Sequence, residues 1–186
     1  SANRTVFEGY TPEEKSNLFY KYLRKLSRLT AFLGHYRYKD TADRHVLENV
    51  IFPYFLNDEA FKDILFVGCA WYTMGYKKLF KHKNYSTMDY NPSLKKYGAK
   101  RHVTDSMANV ADHYRAGELD AIFCNGVFGW GLNERGDVEQ AFAGCFRSLR
   151  SGGIFILGWN DVPEATPLSL SSLESLQQFD AYRFEP

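Results

Sequence analysis

"ILFVGCAWYTMGYKKLF", residues 64–80, decides how the rest of the chain is read. An apolar run from Ile64 to Val67 ends at Gly68, and a pattern of helical period follows. That is the order strand, turn, helix, the opening unit of a nucleotide-binding α/β domain. The turn carries Cys69, Ala70, Trp71 and Tyr72 where such a loop ordinarily has further glycines. Three readings are open: a ligand loop built differently, a loop without its ligand, or an ordinary strand-to-helix turn.

From Asp63 onward strand and helix patterns alternate. Strands are predicted at 64–67, 85–88, 101–103, 121–124 and 154–157, with helices at about 73–82, 92–98, 107–115 and 134–149. The last helix is the clearest, with Val138, Ala141, Phe142, Cys145, Phe146 and Leu149 on one stripe. Alternation of this kind predicts a parallel sheet with helices on both faces, and ligands at the carboxyl ends of its strands. Upstream, residues 11–34 read as a helix with Thr11, Pro12 and Glu14 at its start and Gly34 at its end. A second helix begins near residue 41, and Pro53 is expected to kink or shorten it. The expected organisation is a helical lid or appendage over 1–60 and one α/β domain over 61–186. Near the end, "SLSSLESLQQ" suits one more helix and "FDAYRFEP" one more strand.

The 186 residues are 45% hydrophobic and 24% charged, a composition that buries a real core in one domain. Aromatic residues reach 17%, with 13 Tyr and 15 Phe, so some are expected to line a pocket. A net charge of +1 gives no global attraction to nucleic acid or anionic membrane. No apolar run approaches the ~20 residues of a membrane span. Cys69, Cys124 and Cys145 form no C-x-x-C pair and sit in apolar stretches, which points to reduced, buried thiols and a cytoplasmic setting. The five histidines show no ligand spacing, so no metal is expected.

The strand ends hold the unusual residues. Asp89, in "MDYNP", follows Gly68 by about twenty positions, a spacing that suits an acid binding ribose hydroxyls. It equally suits a cap for the helix starting at Pro92. Asp105, followed by Ser106 and Met107, suits either an adenine amino contact with Met107 on the ring, or an N-cap. The fourth strand ends in "CNGVFGWGLN", residues 124–133, whose glycines permit close backbone approach and whose Phe128 and Trp130 either pack a ligand or cover the sheet edge.

Taken in order, these stretches resemble class I S-adenosylmethionine-dependent methyltransferases over roughly residues 60–160. The matches are "ILFVGCA" as first motif, "YSTMDYNP" with the ribose acid, "VTDSM" at the adenine, and "LDAIFCNGVF" as fourth strand. "CFRSLRSGGIFILGWN" resembles the family's L-x-P-G-G turn, with Ser151 in place of proline. The resemblance implies S-adenosyl-L-methionine as cofactor, held by Gly68, Cys69, Ala70, Trp71, Tyr72, Asp89, Tyr90, Asp105, Ser106, Met107, Asn125, Gly126 and Val127. It implies a Rossmann-like sheet of core order 3-2-1-4-5, counted from the strand at 64–67, where the family usually adds two antiparallel-paired strands. The family's first motif is D/E-x-G-x-G-x-G, and only Gly68 remains: Phe66 replaces the acid, Ala70 and Tyr72 the later glycines. Trp71, Tyr72 and Asn125 are then expected to hold the amino-acid end.

The expected activity is methyl transfer to a small-molecule acceptor. No catalytic residue is identified; His35, Tyr36 and Asp161 are possible substrate contacts, and Tyr20, Tyr22, Tyr36 and Tyr38 are expected to roof the pocket. The N/D-P-P-Y element of nucleic-acid amino methyltransferases is absent, "NGVF" standing in its place. An RNA-modifying enzyme is the alternative, because "YKYLRKLSRLTAFLGHYRYK" interleaves basic and aromatic residues. A non-catalytic binding or scaffold domain with a decayed first motif is the other.

Overall fold

The computed structural model describes residues 5–7, 42–160, 168–182 and 184. The expected helix at 11–34, the tyrosine roof, His35, Asp161 and the basic-aromatic stretch lie outside them. The strands are β1 (Thr5–Phe7), β2 (Asp63–Val67), β3 (Asn84–Asp89), β4 (Arg101–Thr104), β5 (Leu119–Asn125), β6 (Leu149–Gly158) and β7 (Asp180–Tyr182). They form one sheet of order β4-β3-β2-β5-β6-β1-β7 in which every neighbouring pair is parallel. The expected 3-2-1-4-5 core is the β4-β3-β2-β5-β6 portion. Beyond it, β1 and β7 close the edge in parallel, unlike the antiparallel pair usual in the family.

Strand alternation sends successive side chains to opposite faces. Ile64, Phe66, Ala121, Phe123, Ile154 and Ile156 face one core; Leu65, Val67, Ile122, Cys124, Phe155 and Leu157 face the other. The first core is covered by α1 (Ala42–Val46), α2 (Phe52–Asn57) and the short α3 (Tyr76–Leu79). Phe52 centres it, with its ring edge-on to Phe66, Tyr76, Phe80 and Phe123 at 4.9–6.3 Å. Residues 42–57, placed by sequence in the appendage, thus lie across the sheet. Pro53 does not shorten this segment, and the helix is distorted just before it. The chain widens to π-helix over Leu47–Ile51, with Phe52 N–H reaching the Leu47 carbonyl, and α2 restarts with Pro53 in its first turn, where a missing N–H removes no bond.

The second core is covered by α4 (Val110–His113) and α5 (Arg135–Ser148), whose buried Val138, Ala141, Phe142 and Cys145 match the expected stripe. Three expected helices are shorter or tighter than their patterns suggest. The helix at 73–82 is reduced to α3, Pro92–Tyr97 is 3-10, and 107–115 divides into 3-10 Met107–Asn109 followed by α4. The serine-rich stretch forms 3-10 turns at Leu170–Ser172 and Leu176–Gln178 instead of a helix. There the Ser172 hydroxyl donates to the Ser169 carbonyl at 2.7 Å, a local bond that competes with helix. Among the described residues no helix is long and apolar enough to cross a membrane.

Candidate functional site

The carboxyl ends of β2, β3, β4 and β5 converge on one cavity of about 300 Å³. At the end of β2, Gly68 takes φ +92°, and a Cβ there would stand 2.8 Å from Val127 Cγ2. Glycine is the residue that adopts this backbone without strain. The next residues close on themselves. Ala70 N–H donates to Thr73 Oγ1 at 3.0 Å, while the Thr73 hydroxyl and amide both donate to the Ala70 carbonyl, at 2.9 and 3.0 Å. Thr73 is buried, and this staple fixes the loop backbone at Ala70.

Phe66, at the position of the family's acid, turns away from the cavity. It is fully buried in the aromatic core, 5.2 Å from the Tyr76 ring and stacked on Phe123. Burial and the nearby Asp89 charge push the Cys69 thiol up to about 12, so it stays protonated and unreactive.

Asp89 is 7% exposed at the end of β3. Its Oδ2 accepts Cys69 N–H at 2.6 Å and its Oδ1 accepts Asn91 N–H at 2.8 Å. The carboxylate therefore ties the β2 and β3 loops together. The cap of the Pro92 helix is Asn91, whose side chain accepts from Ser93 N–H at 3.0 Å, so Asp89 is not that cap. At the end of β4, Ser106 is the N-cap, its hydroxyl accepting from Ala108 N–H. Asp105 instead accepts from Ser106 N–H and Asn109 Nδ2 through one oxygen and pairs with His113 Nε2 at 2.7 Å through the other. The His113 and Asn109 hydrogen bonds hold its carboxyl below the usual aspartate value.

The loop after β5 is compact. Gly126, Gly129 and Gly131 all take positive φ, and the Trp130 and Leu132 amides both donate to the Val127 carbonyl. Phe128 is buried beneath the loop, whereas Trp130 and Tyr90 stand on the rim, 63% and 67% exposed. The loop's aromatics thus part, Phe128 into the core and Trp130 to the cavity, and neither covers a sheet edge, because β5 is a central strand.

All the expected site residues line this cavity except Ala70 and Trp71. Ala70 faces the Thr73 staple, and Trp71 packs edge-on against Tyr72 at 5.3 Å. The lining adds Val67, Leu94, Trp130, Gly131 and Leu132. Leu94 had no sequence signal of its own, because the 3-10 turn that aims it reads as an ordinary helix. Two carboxylates line the cavity, and no Lys, Arg or His does so among the described residues. No group of three or more His, Cys, Asp or Glu side chains among them could hold a metal ion.

Residues 65–157 match a family model described as a methyltransferase domain. A search of the curated proteins found no match. Among solved structures, a SAM-dependent methyltransferase from Archaeoglobus fulgidus is 15% identical with a TM-score of 0.53, the alignment covering 71% of this chain and 64% of that one. The chain thus spans less than two thirds of that protein, and the likeness concerns the fold. A protein from Bordetella parapertussis described as a possible exported protein is 11% identical over 69% of this chain and 50% of that one, and its TM-score of 0.38 supports no argument. With the family model spanning 65–157 of 186 residues on this sheet, the chain belongs to the class I S-adenosylmethionine-dependent methyltransferase family.

Proposed function

We propose that this chain binds S-adenosylmethionine in the strand-end cavity and transfers its methyl group to a small-molecule acceptor. Asp89 carries the reading. A carboxylate has about four acceptor positions, and two are taken by the Cys69 and Asn91 amides. The remaining two suit the pair of ribose hydroxyls. Asp105 has three positions filled and one left, which suits a single adenine amino proton. Tyr90, Leu94 and Met107 would border the adenine faces. Gly68, Tyr72, Asn125 and Gly126 would hold the amino-acid end.

When bound, the cofactor supplies an electrophilic methyl group on a sulfonium whose positive charge is lost on transfer. The chain's own residues align the reactants and exclude water. Among the described residues the lining has Asp89 and Asp105 and no basic side chain, which favours a cationic ligand over its neutral product. The same charge pattern opposes a polyanionic acceptor, so RNA is the weaker reading. Both lining carboxylates are engaged in hydrogen bonds, which favours an acceptor presenting a lone pair without help from a general base. Methyl transfer from labelled S-adenosylmethionine, screened over amine, thiol and phenol acceptors with bulk RNA alongside, tests this. Labelling of RNA alone would reverse the choice of acceptor, and ligand binding without transfer to any acceptor would favour the scaffold role.

A further inference from the structure

Behind the cavity wall, α1 and the π-helical stretch after it carry a charged cluster to which the reading above gives no role. Arg44 is 4% exposed. Its Nη1 donates to the Tyr76 hydroxyl at 3.1 Å, and that hydroxyl donates to Glu48 Oε1 at 2.5 Å. The guanidinium lies over the Tyr72 ring, 4.6 Å from its centroid. Its Nη2 is 3.8 Å from where a Cβ on Gly126 would stand. Tyr72 and Gly126 both line the cavity, so Arg44 stands one layer behind its wall. With Asp89 and Asp105 taking ribose and adenine, Tyr72 and Gly126 mark the amino-acid end.

Burying a guanidinium is costly unless an anion and hydrogen bonds offset it. Glu48 offsets part of the cost through Tyr76, and Asp43 is 4.0 Å away and largely exposed. Burial also pushes the Glu48 carboxyl above its usual value, against the pull of the Tyr76 bond and of Arg44. Among the described residues the guanidinium is thus held by one hydroxyl and one ring face, with no carboxylate bonded to it directly. The family's first-motif acid faces the ligand's ammonium; here that position is Phe66, and a buried cation stands behind the wall at the same end.

We propose that Arg44 is a positioning residue for the carboxylate of the cofactor's methionine portion, so that recognition of the amino-acid end rests on its carboxylate instead of its ammonium. Tyr76 and Glu48 fix the guanidinium, and Tyr72 supports its face. The inference rests on the S-adenosylmethionine reading above.

Calorimetric titration with S-adenosylhomocysteine and its decarboxylated counterpart tests it without requiring turnover. The wild type should bind the carboxylate-bearing ligand about tenfold or more tightly, the scale of a buried charge acting across one layer of side chain. Arg44→Met, and Arg44→Met combined with Glu48→Gln to leave no unpaired charge, should bring the two ligands within about twofold. Arg44→Lys should give an intermediate ratio, and supplies the readout where the neutral variants fail to fold. An unchanged ratio in any folded variant, or equal binding of both ligands by the wild type, would overturn the proposal while leaving the cofactor reading standing. Binding of neither ligand by the wild type would overturn both.

Discussion

Replacing Asp89 with asparagine keeps the volume of the side chain but removes its charge and one acceptor oxygen. In the wild type both oxygens face backbone donors, Cys69 N–H and Asn91 N–H. Asparagine can satisfy one amide and then turns its own NH₂ toward the other, leaving a buried donor unmatched. That mismatch costs about 1–3 kcal/mol of stability. Cofactor affinity falls separately, because neutral acceptors replace charged ones at the ribose: about 1–3 kcal/mol, or roughly 5- to 150-fold in Kd. A thermodynamic cycle separates the two effects, with calorimetry on wild type and Asp89→Asn using S-adenosylhomocysteine and its 2′-deoxyribose form. The wild type should lose affinity on removal of the hydroxyl, and the variant should lose much less on the same change. Thermal melts should show the stability loss with no ligand present. An equal deoxy penalty in both proteins, with the variant folded, would refute the ribose assignment and leave Asp89 as a clasp between two loops.

Gly68→Ala forces a side chain onto a backbone at φ +92° and against Val127 Cγ2, and should lower stability by about 1–2 kcal/mol or more in urea denaturation. Adding Val127→Ala should recover only the contact part of that loss; full recovery would show that the φ angle is harmless. Phe52→Ala empties the centre of four ring contacts and should cost about 3–5 kcal/mol by the same assay, whereas a loss under 1 kcal/mol would mean the cluster repacks freely. Asp105 titrates below its usual 3.8, chiefly through His113 and Asn109, so its contribution is present above that pH and is lost as pH falls through the lowered value. The stability gap between wild type and Asp105→Asn should therefore shrink as denaturation is followed below about pH 4, and a gap that widens there would contradict the pairing.

Strands were the most legible part of the sequence because each must divide its residues between two buried faces. Ile64 and Phe66 against Leu65 and Val67 show that division within four residues. Helix lengths were less legible. Periodicity at 73–82 persists although Thr73 folds the backbone into a turn, and a side-chain-to-backbone staple leaves no periodic signature. The tolerance of Pro53 was not legible either, because it depends on a π-helical stretch that leaves Pro53 in the first turn of α2, where no N–H is needed. In the site, Gly68, Asp89 and Asp105 were legible from their places at strand ends, since parallel strands of similar length bring their ends together. Whether each acid was a cap or a ligand contact was not, because Asn91 and Ser106 stand close by and do the capping. Arg44 gave no signal at all. It reads as one more polar residue in a helix, and its burial follows only when Tyr72 and Tyr76 arrive from the β2 loop and α3.

The strand-end cavity is proposed as a working cofactor site despite a first motif reduced to Gly68. Calorimetric titration of the chain with S-adenosylmethionine measures it most directly. One saturable site is expected, with a dissociation constant in the range of roughly 1 μM to 1 mM, abolished or strongly weakened by Gly68→Ala in a folded protein. No heat and no thermal stabilisation at millimolar S-adenosylmethionine would contradict it.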